Sequence, residues 1–116
     1  EAEAALRELT PDATVAAFPE DALLPDAWCG SYAGRAGKGT EVPMYPPLII
    51  PNRILHSLDG LHDGIVPTAS AWWGERLGVL DADHARQIGL AWTSSETFDT
   101  KTFFEAHCAA LRDRGL

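Results

Sequence analysis

The chain has 116 residues, a hydrophobic fraction of 46% and a formal net charge of −8 at pH 7. A chain of this length suits one domain at most and buries roughly 60–70% of its unfolded surface when it folds. The negative charge argues against nucleic acid as a partner, because phosphate binding needs clustered Lys and Arg. No apolar run approaches the roughly 20 residues of a membrane span, so we expect a globular protein without a transmembrane segment.

The chain divides into three parts. Residues 1–4 (Glu-Ala-Glu-Ala) match the dipeptide spacer that a yeast secretion leader leaves behind, and such an expression scar takes no part in the fold. The alternative is the start of an Ala/Glu-rich helix. Residues 5–52 form a helix- and loop-rich elaboration, and residues 53–116 hold more regular elements. The scar interpretation implies a secreted protein.

A short helix is predicted early in the elaboration. Thr10 is a good N-cap, Pro11 suits the first helical position, and Asp12 places an acid in the first turn. The helix ends before Pro19. Residues 18–51 then hold six prolines and four glycines, which predicts loop with short extended pieces. Because a loop this long is unusual inside a compact domain, we expect it to lie over a larger body.

Residues 53–58 (Arg-Ile-Leu-His-Ser-Leu) have the β-branched and apolar character of a strand that Asp59 and Gly60 would end. A turn at Asp63 and Gly64 follows. We predict a helix that starts near residue 68 or 70 and reaches residue 77, with Gly78 as its C-cap. Residues 81–84 form a second loop.

The last helix has a clear start signal, since Thr102 and Glu105 form a capping box. Phe104, Cys108 and Leu111 share one face at helical spacing. A single strand cannot form a sheet. We therefore expect an α/β fold with one or two strands and three to four helices, in which a segment outside this chain completes the sheet.

The two cysteines, Cys29 and Cys108, lie 79 positions apart. A disulfide between them would stabilise the fold by typically ~2–4 kcal/mol, mainly through the unfolded state. The alternative is a pair of buried free thiols, and the sequence leaves both open.

An acid and a later histidine carry the chemistry. Asp63 follows the predicted strand and His84 lies on a later loop, which matches the second half of the order Ser…Asp…His in α/β-hydrolases. In that mechanism the histidine moves the proton of the nucleophile, and the carboxylate holds the correct tautomer and stabilises the imidazolium. Asp-Gly turns are common and an isolated histidine is often structural. Asp59, nearer the predicted strand, is the rival acid.

Three segments, in order, resemble the secreted bacterial true lipases. The motif Asp63-Gly64-Ile65-Val66, followed by Ser70-Ala71, Gly74 and a histidine 21 positions after Asp63, is similar to the catalytic-acid segment of that family. Residues 9–18 with Trp28-Cys29-Gly30 are similar to its segment ahead of a Cys-Gly. Its final helix and ending are matched by Phe104, His107, Leu111, Gly115 and Leu116.

The resemblance implies the C-terminal portion of a triacylglycerol-lipase-like α/β-hydrolase, a secreted serine carboxylic ester hydrolase acting on lipid or polyester substrates. It assigns Asp63 as the triad acid, His84 as the general base and His107 as a structural residue. His62 stands where the family has Asn. No cofactor is implied beyond a structural calcium.

Two departures from the family bear on that calcium and on the cysteines. The acid and the Gln that help to bind calcium in the family fall at Arg86 and Leu90, so the site is expected to be absent or rebuilt. The second family cysteine falls near Ala69. On the resemblance, Cys29 therefore pairs with Cys108 or stays free.

The nucleophilic serine of the triad is missing from this chain, because no serine sits in a Gly-x-Ser-x-Gly motif. The serines are Ser31, Ser57, Ser70, Ser94 and Ser95. We expect the partner to be an N-terminal segment of the same enzyme that bears this motif and the oxyanion hole. The chain alone is predicted to be inactive. The alternative function is a non-catalytic, hydrolase-derived module for binding or assembly.

A metal site is the competing chemical hypothesis, since acids and histidines cluster within 26 positions: Asp59, His62, Asp63, Asp81, Asp83 and His84. Zinc needs three or four converging ligands, and no H-x-x-x-H or C-x-x-C spacing is present. Oxygen ligands such as Asp59 favour calcium over zinc. We assign no metal ligand.

Overall fold

The computed structural model describes residues 11–17, 27–90 and 98–116. This part of the chain does not include residues 1–4, Thr10, Ser94 or Ser95, so what the sequence predicts for them remains a prediction. The fold is mixed α/β, as the sequence predicts. The elements are α1 (Pro11–Ala17), β1 (Gly30–Gly34), a 3-10 turn (Pro46–Leu48), α2 (Ile49–Asp59), β2 (Glu75–Leu80), α3 (His84–Gln87) and α4 (Thr100–Asp113).

The sheet of the described residues consists of β1 and β2, which pair in parallel. Tyr32 lies opposite Gly78 and Gly34 opposite Leu80, with an irregularity between Ser31 and Tyr32. Parallel strands need a long crossover connection, and here the crossover contains α2. Both strands therefore end at the same edge of the sheet. His84 begins α3 just beyond the end of β2, and Asp63, on the segment between α2 and β2, lies beside Gly34 at the end of β1.

The predicted strand at residues 53–58 is wrong, because this segment belongs to the helix α2. Helical periodicity turns Asn52 inward, where it is 2% exposed, and leaves Ile54 and Leu58 58% and 72% exposed. Pro51 does not prevent the helix, since the first turn has no need of its N–H group. The β-branched residues gave a strand signal, but tertiary contacts override such propensities.

The predicted helix between residues 68 and 77 is also wrong. Residues 68–70 form a turn, and the chain then extends into the strand β2. Gly74 has φ 66° and packs against the backbone of Cys29, which a side chain would not permit. Gly78, predicted as a C-cap, lies inside β2. It lies opposite Tyr32 of β1, and a Cβ there would be in ordinary van der Waals contact with the Tyr32 ring at 3.7 Å.

The C-terminal helix is confirmed, with a different start and a different inner face. Asp99 is the N-cap, and its Oδ1 accepts a hydrogen bond from the backbone N–H of Thr102 at 2.6 Å. The rings of Phe103 and His107 contact Tyr32 on β1, at centroid distances of 5.0 and 5.4 Å. Phe104, predicted on the inner face, is 48% exposed. Of the three residues predicted to share a face, Leu111 is half-buried on the packing face with Phe103 and His107, whereas Phe104 and Cys108 are exposed.

Little apolar surface is buried within the described residues. The hydrophobic cluster consists of Ala36, Val42 and Met44, with Leu48 packed against it. The cysteines are both free, with Cys29 half-buried and Cys108 exposed, so the disulfide alternative is not formed. Within the described ranges, no helix has the length and apolarity that a membrane crossing requires.

Candidate functional site

The site lies where β1 and β2 end. Gly34 is the last residue of β1, and Leu80 is the last residue of β2. The backbone N–H of Arg35 donates to the carbonyl of Leu80 at 2.9 Å, which extends the pairing beyond the strands. Ligands of parallel α/β sheets bind outside the carboxyl ends of the strands. This edge is therefore the place where functional side chains are expected.

Asp63 and His84 meet at this edge. Asp63 Oδ2 lies 2.9 Å from His84 Nδ1, and the backbone N–H of His84 donates to the carbonyl of Asp63 at 2.9 Å. The side chain of Asp63 is 4% exposed and that of His84 is 45% exposed. Because an ionised carboxylate only accepts, Nδ1 carries the hydrogen in the neutral imidazole. Nε2 is then an acceptor, and it has no hydrogen-bond partner among the described residues.

The Asp-Gly turn orients the carboxylate. Asp63 Oδ1 accepts hydrogen bonds from the backbone N–H groups of Ile65 and Val66 at 3.0 and 2.8 Å. Gly64 has φ 110°, and a Cβ there would lie 3.0 Å from Leu48. Glycine is therefore needed for the backbone conformation and for the close approach of Leu48. The turn leaves Oδ2 directed at His84.

A second side chain from α3 reaches the same carboxylate. Gln87 Nε2 donates to Asp63 Oδ2 at 2.9 Å. His84 and Gln87 are three residues apart, which places them on one face of the helical turn. Nothing in the sequence singles out Gln87, because residues 81–84 are predicted as loop and the helical spacing of His84 and Gln87 is then hidden.

Asp83 anchors the start of α3. Its carboxylate is 2% exposed, with Oδ1 accepting from the backbone N–H of Arg86 at 2.9 Å as an N-cap. Oδ2 accepts from the backbone N–H of Tyr45 at 2.8 Å. From the sequence, Asp83 is a candidate metal ligand only. The signal for its observed role is an Asp directly before a short helix.

An exposed ion pair lies beside the carboxyl ends of the two strands. Arg35 Nε lies 2.6 Å from Asp81 Oδ1, and both side chains are more than 40% exposed. The hydrogen bond to Asp81, together with its charge, raises the pKa of Arg35. The pair joins the end of β1 to the loop that leads to His84.

The rival acid and the other histidines lie elsewhere. Asp59 is an exposed residue at the end of α2 and has no contact with His84 in the described part of the chain. His62 is 1% exposed; its Nδ1 accepts from the backbone N–H of Gly64 at 3.0 Å, so its Nε2 carries the hydrogen and donates to the carbonyl of Asn52 at 2.9 Å. His107 packs against Tyr32. Among these residues the structure brings Asp63, not Asp59, to His84.

The acid/histidine cluster does not converge into a ligand set. Asp81 pairs with Arg35, and both oxygens of Asp83 are used by backbone N–H groups. Over residues 11–17, 27–90 and 98–116, no three His, Cys, Asp or Glu side chains are placed to hold a metal. Arg86 and Leu90 offer no side-chain oxygen, so these positions do not fit the structural calcium of the lipases.

The serines of the described residues are engaged with the backbone. Ser31 Oγ accepts from the N–H of Trp73 at 2.9 Å, whereas Ser57 and Ser70 donate to backbone carbonyls of their own turns. None is hydrogen-bonded to His84. A cavity of about 450 Å³ lies between residues 37–44 and α2, and neither Asp63 nor His84 lines it. The described residues thus bring together an acid and a base without an adjacent nucleophile or substrate pocket.

Searches against models of protein families, against curated proteins and against solved structures find no match for this chain.

Proposed function

We propose that this chain contributes the acid and the base of a serine carboxylic ester hydrolase. The observation that carries the proposal is the contact of 2.9 Å between the buried carboxylate of Asp63 and the half-exposed imidazole of His84. A triad needs from these two residues a buried, fully hydrogen-bonded carboxylate on Nδ1 and an Nε2 that is free to accept, and among the described residues Nε2 has no partner. The resemblance to the true lipases supports the same assignment.

The mechanism follows from the tautomer. A serine hydroxyl brought to His84 Nε2 would give its proton to that nitrogen while its oxygen attacks the ester carbonyl. Asp63 stabilises the imidazolium that forms. The imidazolium then returns the proton to the leaving alcohol, and an acyl-enzyme remains. Water, deprotonated by the same Nε2, hydrolyses the acyl-enzyme and restores the serine.

The serine and the oxyanion hole are proposed to come from an N-terminal segment of the same enzyme that bears Gly-x-Ser-x-Gly. Parallel sheets are normally covered on both faces and contain several strands, whereas β1 and β2 alone form the described sheet. Large apolar side chains such as Ile50 and Ile88 are about 70% exposed. A further body that extends the sheet and covers these side chains accounts for both features.

The substrate class rests on the resemblance alone. Lipid esters or polyesters are the expected substrates, in a secreted enzyme of lipid degradation. The alternative, a non-catalytic module for binding or assembly, is favoured by one observation: no serine is hydrogen-bonded to His84 among the described residues. The two functions differ in whether adding a serine-bearing segment produces ester hydrolysis.

The test combines the 116-residue chain with a segment bearing Gly-x-Ser-x-Gly and measures p-nitrophenyl ester hydrolysis. We expect Asp63→Asn to lower kcat by about 10³–10⁴, because the amide stabilises the wrong tautomer of His84. Asp59→Asn is the matched control and should leave kcat unchanged. The assignment fails if Asp59→Asn abolishes turnover while Asp63→Asn does not. Alone, the chain should hydrolyse nothing, and labelling of one of its serines by a fluorophosphonate probe would contradict this.

A further inference from the structure

Gln87 and His84 approach one oxygen of one carboxylate. Gln87 Nε2 and His84 Nδ1 each lie 2.9 Å from Asp63 Oδ2. Only the nitrogen of a Gln amide can donate to a carboxylate, so this contact fixes which way the amide faces. Because both residues belong to the single turn α3, that turn delivers two donors to Asp63 at once.

The end of β1 leaves room for this amide. A Cβ on Gly34 would overlap the amide nitrogen of Gln87, and it would lie 2.8 Å from Asp63 Cβ and 3.0 Å from the carbonyl oxygen of Ala82. Gly34 does not have a positive φ, so the backbone conformation does not require glycine there. Glycine is needed because Asp63, the Ala82 carbonyl and the Gln87 amide together occupy the space where a side chain would stand.

The hydrogen bonding of Asp63 is complete only with Gln87. The backbone N–H groups of Ile65 and Val66 occupy Oδ1, and His84 and Gln87 occupy Oδ2. An ionised carboxylate offers about four lone-pair sites, so these donors use its full capacity. A neutral amide orients the carboxylate without cancelling its charge, as a Lys or Arg at this place would.

We infer that Gln87 is a positioning residue that holds the Asp63 carboxylate in the orientation in which Oδ2 accepts the Nδ1 hydrogen of His84. It touches neither substrate nor nucleophile and acts through Asp63. The catalytic consequence rests on the proposed function, whereas the effect on the tautomer of His84 does not.

The test measures the tautomer of neutral His84 by ¹⁵N NMR in the 116-residue protein. Native protein should show mainly the Nδ1–H form. Gln87→Met removes the donor but keeps the length, and we expect the ratio of Nδ1–H to Nε2–H to fall about fivefold, as the net strength of one hydrogen bond implies. Ile88→Ala, a change at the neighbouring residue that is 69% exposed, is the control and should leave the ratio unchanged. An unchanged ratio in Gln87→Met overturns the inference.

A measurement on native protein covers the case in which Gln87→Met does not fold. One of the two side-chain amide hydrogens of Gln87 should exchange with water at least about tenfold more slowly than that of a free amide, because Asp63 holds it. Equal, fast exchange of both hydrogens overturns the inference.

The catalytic arm separates this inference from the proposed function. In the enzyme completed with the serine-bearing segment, Gln87→Met should lower kcat roughly tenfold with KM unchanged, since the contact acts on the proton-transfer geometry and not on substrate binding. If turnover depends on Asp63 but Gln87→Met does not change it, the inference about Gln87 is wrong while the proposed function stands. If Gln87→Met changes the tautomer ratio of His84 but the completed protein does not hydrolyse esters, the positioning role stands and the proposed function is wrong.

Discussion

The buried carboxylate of Asp83 accepts a hydrogen bond at 2.8 Å from the backbone N–H of Tyr45, a residue 38 positions earlier. The other oxygen of the same carboxylate caps α3. Asp83 thereby fixes the start of the helical turn that presents His84 and Gln87. This side chain also ties the long loop before α2 to the site.

Asp83→Ala is expected to destabilise the fold by about 2–4 kcal/mol. The variant loses the N-cap of α3, typically worth about 1 kcal/mol, and leaves a half-buried N–H at Tyr45 without this acceptor, which costs about 1–3 kcal/mol. Urea unfolding followed by circular dichroism measures the change.

Asp81→Ala is the matched control for Asp83→Ala. Asp81 is two residues away and carries the same charge, but its ion pair with Arg35 is exposed and should contribute no more than about 1 kcal/mol. If the two variants lose equal free energy of unfolding, the anchoring role of Asp83 is wrong.

His62→Leu is expected to cost about 2–4 kcal/mol. The substitution removes the acceptor of the Gly64 N–H and the donor to the Asn52 carbonyl, and each buried group left unpaired costs about 1–3 kcal/mol. Thermal and urea unfolding check the value. His107→Leu, which replaces a ring packed on Tyr32 without such bonds, should cost less than about 1.5 kcal/mol. The reverse order of the two variants would contradict the role of His62.

The sequence predicts the Asp63–His84 pair through the order of acid and histidine and through the resemblance to the true lipases, whereas the segment predicted as the strand ahead of Asp63 is the helix α2. It mispredicts α2 and β2 because apolar runs of six to ten residues suit either element, and the choice depends on what they pack against. The hydrogen bond of Asn52 to the Ala36 carbonyl and the pairing of β2 with β1 are made with residues distant in the chain. Gln87 and Asp83 escape prediction because residues 81–84 are predicted as loop, which hides the helical spacing of His84 and Gln87 and the N-cap role of Asp83.

The docking of α4 is expected to weaken in acid. Arg114 Nη1 and Nη2 donate to the carboxylate of Glu75 at 2.7 and 3.0 Å, Trp28 Nε1 donates to it at 2.9 Å, and the guanidinium lies over the Trp28 ring. The hydrogen bond from Arg114 and that from Trp28 lower the pKa of Glu75 from 4.5 to about 2. Folding therefore gains stability from this group above pH 4.5 and loses that gain as the pH falls from 4.5 through 2.

The check is an NMR titration of Glu75 together with the free energy of unfolding between pH 5 and pH 2. Arg114→Ala should raise the pKa of Glu75 toward its ordinary value, and Glu75→Gln should flatten the loss of stability in acid. Lys101→Ala removes the looser, strongly exposed pair with Glu105 and serves as the control. Parallel stability curves for native protein and Glu75→Gln would show that this contact does not contribute.

Gly34→Ala and Gly60→Ala separate close packing from backbone strain. At Gly34 the new methyl group meets Gln87 and Asp63, and we expect a cost of about 1–3 kcal/mol from overpacking together with a loss of the Nδ1–H tautomer of His84. At Gly60 no atom lies within 4 Å, but φ 78° and ψ −135° are backbone angles open essentially to glycine only, so the cost of about 1–3 kcal/mol is backbone strain alone and the tautomer should not change. Urea unfolding and ¹⁵N NMR of His84 in both variants provide the comparison. The two costs are similar, so the free energy of unfolding does not distinguish the variants and the tautomer of His84 is the deciding measurement. If Gly34→Ala keeps the native tautomer ratio of His84, the packing at the end of β1 does not position Gln87 and Asp63.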